Sequence, residues 1–147
     1  MEQYAQIYDL TKRALDALGV TNGASHSEYK ITEDGRICVM EIGARMGGDF
    51  IGSDLVQLST GYDYLKGVIE VALGCFTEPV FGERHHAGVY FLCEETRQLL
   101  PVIKSASFPN IVRAEVTDET LRNVTCSADR SGYLIYQGKD SIKCVRV

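Results

Sequence analysis

The stretch HSEYKITEDGRICVMEIGARMGG, residues 26–48, decides how the first half of this chain folds. Two segments of β-like residues in an alternating pattern, 24–32 and 36–42, flank the turn Glu33-Asp34-Gly35. Alternation predicts strands, and a glycine that accepts a positive φ predicts a tight turn between them. The pattern therefore predicts an antiparallel hairpin.

Each predicted strand carries one carboxylate toward the open end of the hairpin, Glu28 on the first and Glu41 on the second. The start of one strand lies beside the end of the other, although the register, and hence the face of each side chain, stays open. Neighbouring carboxylates without basic partners in the sequence repel each other unless a cation lies between them. Mg²⁺, or Mn²⁺ in its place, fits oxygen ligands of this kind. Glutamates on a solvated face are the alternative.

A glycine-rich loop follows the second strand. Residues 43–49, GARMGGD, place three glycines around Arg45, which suits a loop whose backbone N–H groups approach a ligand closely. An arginine here can bind phosphoryl or carboxylate oxygens through two parallel hydrogen bonds. Metal, arginine and N–H donors together stabilise the negative charge that develops in phosphoryl or acyl transfer. A simple strand-to-helix turn is the alternative.

The rest of the pattern predicts an α+β fold, in which an antiparallel sheet with flanking helices precedes a small β-rich subdomain. Predicted helices cover residues 3–18, 50–58 and 63–73, with Gly19, Gly61 and Gly74 as stops and Asp63 as an N-cap. Predicted strands cover residues 87–93, 111–116, 124–126, 133–136 and 142–147, with a turn at 137–140. Pro79 and Gly82 mark a boundary between domains at 1–76 and 77–147.

Composition narrows the classes of partner. The chain has 147 residues, a formal net charge of −5 and no stripe of lysine and arginine, so neither nucleic acid nor an anionic membrane is predicted as a partner. It has no apolar run long enough to span a bilayer and no signal-peptide pattern, which predicts a cytoplasmic location. Five scattered cysteines without a C-x-x-C pair suggest neither a zinc site nor a disulfide framework.

Residues 26–74 resemble the second half of the ATP-grasp domain, and most closely the subset of L-amino-acid ligases and related carboxylate–amine ligases. Biotin carboxylase and the large chain of carbamoyl phosphate synthase are similar more distantly. The β-rich block at residues 87–147, with Asp-Arg-Ser-Gly-Tyr at 129–133, is similar to the lobe that follows the ATP-grasp domain in these ligases.

The resemblance implies roles for six residues. Glu28 and Glu41 match the acidic positions that hold the magnesium bridging the phosphates of ATP. Arg45 matches a catalytic residue that binds phosphate or the acyl intermediate, and Gly47 and Gly48 belong to the loop that offers backbone N–H groups to it. His26 also matches the subset, and both a phosphate-facing and a hydrogen-bonded core histidine fit that position. Many ATP-grasp enzymes have asparagine where this chain has Gly43, a replacement that the amino-acid ligase subset tolerates.

The resemblance also implies what a complete enzyme needs in addition. Its first half carries an N-terminal substrate-binding domain, the nucleotide-binding lysines and a mobile phosphate loop, and these have no counterpart in this sequence. The chain is therefore expected to be the C-terminal portion of a ligase, with the N-terminal half as its structural partner. Whether it is an enzyme by itself stays open.

Two functions follow as hypotheses. In the first, the chain supplies the magnesium site and the phosphate-binding loop of an ATP-dependent ligase that joins a small carboxylate to an amine through an acyl phosphate. In the second, it is a non-catalytic module derived from an ATP-grasp domain, which folds alone and mediates interaction or homodimerisation. Exposed apolar surface would then form the interface.

Overall fold

The computed structural model describes residues 2–105 and 110–139. This part of the chain contains two antiparallel sheets and four α-helices, so the predicted α+β class is confirmed. In chain order the elements are α1 (Glu2–Ala17), β1 (His26–Ile31), β2 (Ile37–Gly43), a π-helical turn (Ile51–Leu55), α2 (Val56–Thr60), α3 (Tyr64–Leu73), β3 (His86–Leu92), α4 (Leu99–Ser105), β4 (Ile111–Val116), a 3₁₀ turn (Ser127–Asp129) and β5 (Gly132–Gly138).

The described residues form two compact units. The first comprises residues 2–52 and 63–79, and the second comprises residues 53–62, 80–105 and 110–139. The predicted domain boundary between residues 76 and 77 stays a prediction. One feature was not indicated by the sequence. By its contacts, α2 belongs to the β-rich unit. There the backbone N–H of His85 donates to the carbonyl of Ser59 at 3.1 Å, and the side-chain amide of Gln137 donates to the carbonyl of Leu58 at 2.7 Å.

The first unit is built on the predicted hairpin. β1 pairs with β2 in antiparallel register, and Gly35 in the connecting turn has φ 83°. Helix α1 packs on this hairpin, where the hydroxyl groups of Thr11 and Tyr29 lie 2.5 Å apart. The face of β1 that bears Tyr29 therefore turns toward the helix, and the alternate face, which bears Glu28, is left to solvent.

The predicted ends of α3 are confirmed. Asp63 is its N-cap, since its side chain accepts a hydrogen bond from the backbone N–H of Lys66 at 2.9 Å. Gly74 ends the helix with φ 70°, a left-handed conformation that favours glycine. The predicted stop at Gly61 is confirmed for α2. The predicted helix at 50–58 begins instead as a π-helical turn and continues as α2.

The second unit is a sheet in the order β3-β5-β4, with β5 antiparallel to both neighbours. Leu92, Leu99, Ile103 and Leu134 form its buried core. Helix α4 supplies two of these side chains, although the sequence predicted no helix there. Pro101 does not prevent this helix, because it lies in the first turn. Proline is tolerated there, since a backbone N–H group in the first turn has no helical partner.

Two predictions in the β-rich part were wrong. Residues 124–126 form no strand, because Asp129 accepts hydrogen bonds from the backbone N–H groups of Thr125 and Cys126 and closes a turn there. The predicted turn at 137–140 is also wrong at Gln137 and Gly138, which belong to β5, and its last residue lies outside the described residues. The strand predicted at 142–147 lies outside the described residues. Among the described helices, none has both the length and the apolar character to cross a membrane.

Candidate functional site

The two predicted metal ligands are direct cross-strand partners. In the antiparallel register Glu28 pairs with Glu41, and both side chains are exposed. Residues directly opposite each other in an antiparallel pair project from the same face of the sheet. The hairpin therefore brings the two carboxylates onto one exposed face, on adjacent strands.

A β-bulge produces this arrangement. Near the turn the partners are Ile31 with Ile37 and Tyr29 with Val39, and an uninterrupted ladder would then pair Glu28 with Met40. The register shifts between Glu28 and Tyr29 instead, so that Met40 is the extra residue on β2. If the ladder continued regularly through Met40, Glu41 would pair with Ser27, and the two carboxylates would lie on opposite faces because side chains alternate along a strand. Bulges commonly redirect a side chain beside a functional site.

His26 lies two residues before Glu28 on the same face of β1. Its Nε2 atom lies 3.0 Å from Oε1 of Glu28, and its side chain is only 18% exposed. This geometry supports the hydrogen-bonded alternative of the two that the sequence left open. The predicted direct contact of His26 with phosphate stays a prediction.

Arg45 reaches back over the same face. Its Nη2 atom donates to Oε1 of Glu41 at 2.7 Å, and its Nη1 atom donates to the carbonyl of Met46 at 3.0 Å. The Arg45 side chain is 57% exposed, so a ligand can reach it from solvent. The structure thus brings Arg45 together with the acidic pair, as the sequence predicted for one site.

The glycines of the loop differ in their surroundings. A Cβ atom at Gly47 would lie 2.9 Å from Nδ1 of His26 and 3.1 Å from the side chain of Ile51, so this position has no room for a side chain. A Cβ atom at Gly48 would meet nothing within 4 Å. At Gly43 it would lie 3.5 Å from Oε1 of Glu41, an ordinary contact. Gly47 is therefore enclosed by the protein, while Gly48 faces open space.

The backbone after the loop is unusual. Asp49 and Phe50 are non-glycine residues with φ 50° and 64°, and the π-helical turn begins directly after them. Positive φ at consecutive non-glycine residues is strained, and both strain and π-helical turns occur frequently at functional sites. Neither feature could be predicted from the sequence, because neither residue type requires this conformation.

Asp54 lies in the π-helical turn. Its side chain is only 19% exposed and lies 3.1 Å from Nη2 of Arg113 on β4. Ser53 also donates to its carboxylate at 2.5 Å. Asp54 therefore anchors the end of the π-helical turn within the second unit. No local pattern could reveal a pair separated so widely along the chain.

The described residues can supply some of the ligands that a divalent cation requires. They contain no group of three or more His, Cys, Asp or Glu side chains arranged to hold a metal ion. Glu28 and Glu41 would thus supply two carboxylates, and the other positions around the ion would have to come from phosphate or water oxygens. That division suits Mg²⁺, which is usually bound through one or two carboxylates together with substrate phosphates.

Two solved structures share the fold of this chain. One is the phosphoribosylglycinamide synthetase of Anaerococcus prevotii, with a TM-score of 0.67, 18% sequence identity and coverage of 90% of this chain and 36% of that one. The other is the L-amino acid ligase of Bacillus licheniformis, with a TM-score of 0.65, 22% identity and coverage of 95% of this chain and 37% of that one. No family model matches the sequence, and no curated protein matches it either.

The comparisons establish the fold. Both proteins are ATP-grasp ligases, so the chain has the fold of part of an ATP-grasp ligase, and the resemblance predicted from residues 26–74 is confirmed at that level. The chain spans little more than a third of the length of the solved ligases that it matches.

Proposed function

We propose that this chain is the metal- and phosphate-binding part of an ATP-dependent carboxylate–amine ligase. The pairing of Glu28 with Glu41 on one face, beside Arg45, carries the proposal, together with a fold shared with part of the ATP-grasp ligases. The resemblance implies a reaction in which a carboxylate takes the terminal phosphoryl group of ATP. An amine then attacks the acyl carbon, phosphate leaves, and an amide bond forms.

The acidic pair and the arginine have complementary tasks in this proposal. Glu28 and Glu41 hold Mg²⁺ or Mn²⁺, which when bound offsets the charge of the ATP phosphates. Arg45 donates to phosphoryl or acyl-phosphate oxygens, for which its forked guanidinium is suited. Its present bond to Glu41 keeps it within reach of the same ligand.

The loop contributes through its backbone. Gly48 faces open space, which supports a direct approach of its backbone N–H group to an oxyanion. Gly47 is enclosed by His26 and Ile51, which supports a role in fixing the course of the loop. The same residue type thus serves two purposes at adjacent positions.

The substrates and partners follow from the same proposal. ATP, a small carboxylate and an amine are the substrates of the complete enzyme, and the half of the ligase that carries the nucleotide-binding lysines is the structural partner. Apolar side chains on the outer face of α3 support a partner of this kind, since Leu65, Ile69 and Leu73 are 40%, 53% and 73% exposed. We place the protein in the cytoplasm, as its sequence predicts.

Cation binding by the chain itself tests the proposal without any other polypeptide. Mn²⁺ is titrated into the protein and the signal of the free ion is followed by electron paramagnetic resonance. Glu28→Gln and Glu41→Gln should each weaken Mn²⁺ binding by about tenfold or more, because even a residue that only orients a ligand typically contributes that much. Glu33→Gln, at the turn of the same hairpin, is the matched control. Equal affinity of the wild type and Glu41→Gln would refute the site.

A non-catalytic interaction or dimerisation module is the second candidate. The exposed apolar row on α3 favours it, because rows of this kind mark contact surfaces. Stable self-association without any binding of Mn²⁺ or of its complex with ATP would favour this candidate. Binding of the cation that depends on Glu41 would favour the ligase.

A further inference from the structure

The ring of His26 occupies the space between two parts of the candidate site. Its side chain is 18% exposed, whereas that of its neighbour Glu28 is 57% exposed. One ring nitrogen lies against the carboxylate of Glu28 and the other lies toward the loop at Gly47. A single side chain thus contacts both the acidic pair and the glycine loop.

The contact with Glu28 is a hydrogen bond. An ionised carboxylate only accepts hydrogen bonds, so Nε2 of His26 is the donor of the 3.0 Å contact whenever Glu28 is ionised. The bond holds Oε1 of an otherwise exposed carboxylate in one position. Hydrogen bonds of this kind to a metal-binding carboxylate orient it before the ion arrives.

The contact with the loop is steric. A Cβ atom at Gly47 would lie 2.9 Å from Nδ1 of His26, closer than real Cβ atoms approach other atoms. The ring therefore fills the volume that a side chain at position 47 would need. Glycine at this position lets the loop lie against the ring.

We propose that His26 is a positioning residue, which holds the carboxylate of Glu28 and the backbone at Gly47 in one arrangement and thereby sets the affinity of the acidic pair for a divalent cation. The proposal rests on the proposed function, since it assumes that Glu28 and Glu41 bind the ion. It adds an outer residue that acts through Glu28 and through the loop, without touching the ligand.

Mn²⁺ binding to variants of the whole chain tests the bond to Glu28. His26→Phe keeps a ring but removes both nitrogens, and it should weaken Mn²⁺ binding by about tenfold. His26→Gln places an amide nitrogen close to the position of Nε2 and should restore the affinity to within about twofold of the wild type. His86→Phe, at the start of β3 in the second unit, is the matched control.

A double-mutant cycle tests the contact with the loop independently of any ion. Gly47→Ala should lower the urea midpoint of unfolding more in the wild-type background than in the His26→Ala background. The clash with Ile51 is present in both backgrounds, so it cancels in the comparison.

Each outcome either supports or overturns the positioning role of His26. A loss in His26→Phe with recovery in His26→Gln, together with unequal effects of Gly47→Ala, supports the positioning role. Unchanged Mn²⁺ affinity in His26→Phe, or equal effects of Gly47→Ala in both backgrounds, overturns it while leaving the proposed function intact. If wild-type binding is absent or unaffected by Glu41→Gln, the proposed function fails, and the positioning role fails with it.

Discussion

The guanidinium group of Arg45 competes with any cation for Glu41. Its Nη2 atom lies 2.7 Å from Oε1, and the two side chains are 57% and 46% exposed. An ion pair with this exposure contributes at most about 1 kcal/mol, because solvent screens it. A divalent cation can therefore displace the arginine from Glu41, and the displaced group is then available to phosphate oxygens.

Arg45→Ala should consequently have opposite effects on two affinities. Without nucleotide, Mn²⁺ binding should strengthen by up to about fivefold, since a competitor worth at most about 1 kcal/mol is removed. In the presence of ATP, the affinity for the Mn²⁺–ATP complex should fall, because a donor to the phosphates is lost. Paramagnetic resonance of free Mn²⁺ and calorimetry of the complex measure the two values. Arg36→Ala, whose guanidinium binds Asp34 at the turn, is the control. Weakening of both affinities would argue against competition.

Asp129 makes the second unit sensitive to acid. The hydroxyl of Thr125, followed by the backbone N–H groups of Thr125 and Cys126, lowers the pKa of Asp129 from 3.8 to about 2. A carboxyl group with a depressed folded-state pKa stabilises the fold above its unfolded value and loses this contribution as the pH falls through the folded one. The contribution of Asp129 is therefore complete above about pH 4 and disappears toward about pH 2.

Asp129→Asn should lower the stability at neutral pH and flatten its decline between about pH 4 and pH 2. Urea unfolding at a series of pH values measures both effects. Thr125→Val removes the hydroxyl donor and keeps the two backbone donors, so it should give an intermediate slope. A slope in Asp129→Asn equal to that of the wild type would show that this carboxyl group has no part in acid unfolding.

Among the elements, the hairpin shows how much of the structure can be predicted from the sequence. The alternation of residues and Gly35 predicted both strands and the turn, because each depends on local chemistry. The bulge at Met40 could not be predicted, because it depends on which pairing buries the face toward α1. Residue types thus indicated a candidate site, whereas they did not indicate that Glu28 and Glu41 share a face.

Deletion of Met40 tests the account of the bulge. With the extra residue removed, Val39 still pairs with Tyr29, and the next pair in a regular ladder is Glu28 with Glu41. We therefore expect the deletion to preserve Mn²⁺ affinity within about threefold, since both carboxylates keep their common face. Cross-strand contacts between positions 28 and 41, measured by nuclear magnetic resonance, confirm the pairing. Loss of Mn²⁺ affinity with the hairpin intact would mean that Met40 has a role of its own.

The other elements also divide into those that local residues determine and those that long-range packing determines. Asp63, Gly61 and Gly74 predicted helix ends correctly, because capping is decided by one or two side chains. Helix α4 escaped prediction, since its helical character depends on Leu99 and Ile103 packing into the core of the sheet. The π-helical turn also lacked a local signal. Packing and long-range pairing, which no short window of sequence contains, account for these differences.

For the whole molecule, the exposed apolar row on α3 is the feature that its own fold leaves unexplained. Leu65, Ile69 and Leu73 follow one another at a spacing of four residues, so they share a face of the helix. An apolar row in contact with water is unfavourable by roughly 25 cal/mol for each Å² that could be buried. We therefore expect the row to be a contact surface for another polypeptide.

Because these side chains are exposed, the isolated chain should associate with itself through α3. Sedimentation velocity over a range of concentrations should show a dimer in the wild type and a shift toward monomer in Ile69→Lys, because a buried charge opposes association. Ala5→Lys places the same charge at an exposed position of α1, away from the row. Circular dichroism verifies that both variants fold. If Ile69→Lys associates as strongly as Ala5→Lys, the row is not the contact surface, and the second candidate function loses the observation that favours it.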